Sequence, residues 1–170
     1  MAERRRLPVI SNTPPTEDEE DERPPWHWVG FGTVAIFAAW LPLAYVGGAI
    51  SAKVMAARFG ADASKEAIDL ALRAMSGDER ARLMATVALP SLLGLAIAAF
   101  AGGFVVGRFG SGTGVREAAY SGVLTAVVAI LMAWAGPTVG TLIASVVTAF
   151  VAIAFAAWGA RVGVGRRPAR

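Results

Sequence analysis

The sequence predicts an all-α integral membrane protein: a four-helix bundle with a disordered N-terminal tail and a short amphipathic loop helix. Three observations carry that prediction. Only 17% of the 170 residues are charged and 55% are hydrophobic, against about 25% charged in an ordinary soluble domain. The apolar residues gather into four runs free of Asp, Glu, Lys and Arg, at about 26–50, 83–106, 118–135 and 139–158. Each is near the length of about 20 residues that crosses a bilayer as a helix. The runs are continuous, without the period-two alternation of transmembrane barrel strands.

The chain opens on a polar segment, residues 1–25, with Arg4-Arg5-Arg6, five prolines and an acidic run from Glu17 to Glu22. It offers almost nothing apolar to bury, so disorder is expected. The first apolar run, 26–50, starts with Trp26 and Trp28, rings that settle at the headgroup level. Its 25 residues exceed the usual h-region of a cleaved leader, about 7–15 residues. Pro42 lies inside it, which membrane helices tolerate.

The loop 54–82 is of mixed charge, with five basic and five acidic residues. Ile68, Leu72 and Met75 recur at helical spacing with polar residues between them, which predicts an amphipathic helix. Ser76 and Glu79 then have the spacing of a capping box that starts the next helix. The second run, 83–106, contains Pro90. The third ends at Gly136-Pro137-Thr138, a helix-breaking turn. The fourth gives way to a basic C-terminal tail, 160–170, which carries Arg161, Arg166, Arg167 and Arg170.

Four spans place both termini on one side. That side collects ten basic residues from the two tails and from Arg108 and Arg116, and the other side collects six, so the positive-inside rule puts both termini in the cytoplasm. The basic residues are 14 Arg and 2 Lys, a bias that, with many Ala and Gly, reflects a GC-rich coding sequence. They are spread along the chain without an aromatic platform, so no nucleic-acid partner is expected.

Little chemistry is on offer. There is no cysteine and one histidine, His27, which excludes thiolate catalysis and multi-histidine metal sites. No Gly-x-Ser-x-Gly elbow and no His-Glu-x-x-His is present. The four apolar cores lack the charged residues that pumps and transporters place within the membrane, and Arg116-Glu117 is read as the cytoplasmic start of the third span. The expectation is therefore no enzyme, no catalytic residue, no metal and no cofactor.

The glycine-rich stretch from Gly102 to Gly122 has the outline of a phosphate cradle. Gly102 and Gly107 have P-loop spacing, but Arg108-Phe109 follows where Lys and a hydroxyl are required, and a hydrophobic helix precedes it instead of a strand. The better reading is packing. Gly94, Ala98 and Gly102, then Gly103 and Gly107, recur every four residues, as do Gly136 and Gly140 at the start of the fourth run. Small residues at that spacing let helix backbones approach closely. Arg108 and Arg116 flank the turn and are the candidates for an anionic lipid headgroup.

The junction Gly102-Gly103-Phe104-Val105-Val106-Gly107-Arg108 resembles the Gly-Gly-aromatic-x-x-Gly-Arg junction between helices two and three of small four-span bacterial membrane proteins, the YrzE-like family. The long charged first loop departs from that family's compact form. The resemblance implies an integral membrane protein and carries over no catalytic residue. The sequence thus points to a multi-pass inner-membrane (plasma-membrane) protein with a structural or accessory role. Its expected partners are membrane lipids and other membrane proteins or a second copy of itself. The alternative is a small transporter or channel component.

Overall fold

The computed structural model describes residues 26–110, 114–132, 136 and 138–166. The expected disordered tail 1–25, the turn residues 111–113 and the last arginines, Arg167 and Arg170, lie outside the described residues. Five helices follow in order: α1 (Trp26–Phe59), α2 (Lys65–Ala74), α3 (Gly77–Phe109), α4 (Gly114–Met132) and α5 (Val139–Gly165). The described residues contain no strand. Four of the helices, α1, α3, α4 and α5, are long and apolar enough to cross a membrane.

The helices pack as a ring, α1 against α3, α3 against α5, α5 against α4, and α4 back against α1. Spatial neighbours are not all sequence neighbours, so α1 runs parallel to α4 and α3 runs parallel to α5. Large apolar side chains such as Leu93, Leu131, Val146 and Phe150 face outward, while the core is made largely of Ala and Gly. That inversion suits a bilayer, where lipid already solvates Leu and Val and association comes from close backbone packing.

The two longest helices overshoot the membrane. α1 has 34 residues and α3 has 33, or about 50 Å of helix each against a hydrocarbon core of about 30 Å. α1 continues past Ile50 to Phe59 because Lys53, Met55, Ala56, Ala57 and Arg58 are good helix formers. A charged residue marks the membrane edge without ending the helix. α1 and α3 thus form a helical protrusion at the end away from the termini, and α2 closes it.

Each helix start there is capped. Ser64 Oγ accepts from the Ala67 amide at 3.2 Å to begin α2. The capping box expected at α3 forms: Ser76 Oγ accepts from the Glu79 amide, and Glu79 Oε2 accepts from the Ser76 amide, both at 3.3 Å. Thr138 Oγ1 caps α5 by accepting from the Thr141 amide at 3.1 Å. Gly136 precedes it with φ +114°, a left-handed conformation that residues with a Cβ rarely adopt.

Pro90 sits at the α1–α3 seam, whereas Pro42 of α1 is exposed. Pro90 deprives the Thr86 carbonyl of its helical donor. Beside that break, Ser51 Oγ lies within hydrogen-bonding reach of the Val87 carbonyl at 2.6 Å and of its own Gly47 carbonyl at 2.9 Å. Gly47 makes room for the approach: a Cβ there would lie 3.1 Å from the Ser91 nitrogen. One hydroxyl therefore ties the two helices together where the backbone ladder is interrupted.

Candidate functional site

Two features of the bundle hold the residues with the greatest functional interest: a glycine seam and a buried polar column.

The seam joins α3 to α5. A Cβ on Gly103 would strike the Ala156 carbonyl oxygen, and one on Gly107 would strike that of Ala160. Reciprocally, a Cβ on Gly159 would strike the Phe100 carbonyl and one on Gly163 that of Phe104. Each helix thus presents a pair of glycines four residues apart to the backbone of the other. On the opposite face of α3, Gly102 lies against Ile36 and the Gly32 carbonyl, and Gly94 lies against Leu43. Ala98, between them, is fully buried with Ile36, Ala99 and Ala156.

Of the small residues picked out by spacing, Gly94, Ala98, Gly102, Gly103 and Gly107 stand at helix contacts. Gly136 lies in the turn before α5, and Gly140 is exposed with only Thr138 Oγ1 of its own turn near it, at 3.9 Å. Sequence spacing missed Gly159 and Gly163. The available sign was their own four-residue repeat.

The polar column runs along α4. Glu117, Ser121 and Thr125 recur every fourth residue and are 7%, 0% and 0% exposed. Ser121 Oγ lies 2.9 Å from the Glu117 carbonyl and 3.0 Å from the Val29 carbonyl of α1. Thr33 Oγ1 donates to the same Val29 carbonyl at 2.8 Å and lies 3.5 Å from the Ser121 carbonyl. Gly32 allows this contact, since a Cβ there would meet the Ser121 hydroxyl and would stand 2.7 Å from Val106 Cγ2. Further along, the buried Thr125 Oγ1 and Trp40 Nε1 have no hydrogen-bond partner among the described residues.

The column adds to one reading of the sequence. Glu117, expected at the start of the third span, stands in the first turn of α4, and the bundle buries it there. An acid is tolerated there because the unpaired amides of a helix N-terminus favour negative charge. Hydropathy could not show this: the apolar run stops at Ala118, but burial is decided by the neighbours around residue 117.

The end where α1 begins and α5 finishes holds Arg108, Arg116, Arg161 and Arg166. Arg108, in the last turn of α3, donates from Nη1 to the Arg166 carbonyl at 3.4 Å and lies over the Phe109 ring, 5.8 Å from its centroid. Arg166 lies over Phe104 at 5.9 Å. Arg116 is exposed in the first turn of α4. It shares this end with Arg108, but Arg108 has its hydrogen bond on α5. Among the described residues no group of three His, Asp or Glu side chains could hold a metal ion.

Four apolar spans around an alanine-and-glycine core define a multi-pass membrane protein. No protein-family model matches the chain, and no curated protein or solved structure does either.

Proposed function

We propose that the chain is a non-catalytic, structural or accessory protein of a bacterial inner membrane, with both termini in the cytoplasm, that engages another membrane protein through its protrusion. One observation carries this reading. α2 is strongly amphipathic, yet none of its residues is fully buried: Ile68, Ala71 and Leu72 on its apolar face are only half-buried. An amphipathic helix held at the tip of a helical stalk suits a partner's surface. Over the whole sequence ten basic residues fall on the side of Arg108, Arg116, Arg161 and Arg166 and six on the side of the protrusion, which supports the orientation.

The orientation is tested by labelling. The native chain has no cysteine, so Ser76→Cys at the protrusion and Gly165→Cys near the C-terminus report cleanly. A membrane-impermeant thiol reagent is expected to label Ser76→Cys in intact cells and Gly165→Cys only after the membrane is opened. The reverse pattern would invert the topology.

A second reading, a small transporter or channel component, is favoured by the polar column. Two buried polar atoms without a partner among the described residues, on Thr125 and Trp40, are the kind of group that internal water or a passing solute satisfies. Flux across proteoliposomes separates the two readings. For an accessory protein, ion and proton leakage should match empty liposomes. A membrane protein should co-purify and be lost with Ile68→Ser and Leu72→Ser together. Flux that is present in the native chain and abolished by Thr125→Val would establish the second reading.

A further inference from the structure

We propose that the cleft between the start of α1 and the end of α3 binds one anionic phospholipid, with its phosphate at Arg108 and an acyl chain along the aromatic wall. The cleft has a volume of about 400 Å³ and is lined by His27, Trp28, Phe31, Val105 and Phe109. It lies at the end of the bundle that carries Arg108, where α1 begins and α3 finishes.

Three features fit a lipid better than a soluble ligand. The α1 wall is a run of rings: His27 and Trp28 have centroids 5.9 Å apart, and Trp28 meets Phe31 edge-on, also at 5.9 Å. With Val105 and Phe109 opposite, the lining is apolar except for the imidazole and indole N–H groups, and such rings favour the headgroup boundary. The open, one-sided shape lies at the flank of spans that lipid surrounds, so a chain can enter from the bilayer without leaving it.

The charge stands beside this wall. Phe109 lines the cleft and also lies beneath the Arg108 guanidinium. One Arg108 N–H is engaged by the Arg166 carbonyl, which fixes the group in place. A guanidinium carries further donors in a fork that matches phosphate oxygens. Arg116 is not part of this arrangement, which narrows the pair of candidate headgroup residues to one. The inference rests on the spans lying in a bilayer, not on the direction in which the chain crosses it, nor on the accessory role.

The test is lipid retention by native mass spectrometry of the full chain, extracted in detergent and offered phosphatidylglycerol or phosphatidylcholine. The native protein should keep one phosphatidylglycerol in preference to phosphatidylcholine. Arg108→Gln should reduce that preference about fivefold, the scale of one basic residue at a membrane surface, and Arg116→Gln should leave it unchanged. Val105→Trp, which fills the cleft, should weaken retention of both lipids. Phe31→Ala, on an exposed side chain, should do the same without crowding a helix joint. Thermal unfolding in lipid-free detergent checks that each variant is folded.

Equal retention of the two lipids by the native chain would overturn the proposal, as would an Arg108→Gln protein with native preference. Displacement of the lipid by millimolar inorganic phosphate would show that the arginine reads a free anion instead. Failure of the topology test or of the co-purification test leaves these outcomes as they are, so the two ideas fail separately.

Discussion

Replacing Gly103 or Gly159 by valine is expected to cost about 1–3 kcal/mol of stability or more, the range for overfilling a packed interior. The obstruction is backbone, not side chain. At Gly103 an added Cβ meets the Ala156 carbonyl, with its carbon at 2.7 Å and Cα at 2.8 Å. At Gly159 it meets the Phe100 carbonyl, with Cα at 3.0 Å. A side chain could rotate away, but a helix carbonyl can move only with its helix. Relief therefore requires α3 and α5 to separate, which forfeits the most extensive interface in the bundle. Gly48, with nothing within 4 Å of its Cβ position, is the control, and Gly48→Ala should be neutral or slightly stabilising. The measurement is unfolding in mixed micelles of rising SDS content, followed by circular dichroism. Equal losses at Gly48 and Gly103 would show that the seam has no special part in stability.

The joint between α1 and α4 gives the second large effect. Gly32→Val should destabilise by about 1–3 kcal/mol, because its Cβ meets the Ser121 hydroxyl and stands 3.0 Å from Ser121 Cβ. Here the nearest obstructing atoms belong to the Ser121 and Val106 side chains, so a second substitution can relieve part of the clash. Ser121→Ala alone should cost about 0.6 kcal/mol for the lost interhelical hydrogen bond. Combined with Gly32→Ala it should cost less than the sum of the two. A coupling of about 0.5–3 kcal/mol is usual for residues in direct contact. Strict additivity in the same unfolding assay would mean that the two residues do not share this contact.

The contrast between these sites shows what the sequence makes legible. The spans are readable because a bilayer sets a length and forbids charge, and both constraints act on single segments. The Ser76–Glu79 box is readable for the same reason, since both of its partners lie in one turn. The α3 glycines stand out because Leu, Val and Phe surround them. α5 is different: Ala, Gly and Thr occur on several sides of the helix, and only the packed bundle selects the side bearing Gly159 and Gly163. The burial of Glu117 is likewise a property of the fold, because it depends on the neighbouring helices packing around the start of α4. Trp40 and Thr125 could not be singled out either, since an unsatisfied group is defined by what fails to reach it.

The length of α1 and α3 sets the two ends of the molecule in different electrical surroundings. About 20 Å of helix extends beyond a hydrocarbon core of about 30 Å. The headgroup layer takes up about 6 Å of that at each end, so the tip stands clear of the lipid charges by about one Debye length, about 8 Å in physiological salt. The segment around α2, with basic and acidic residues in balance, is therefore insulated from the surface potential. Changing the anionic lipid content of the membrane should alter what happens at Arg108 and leave recognition at the tip untouched.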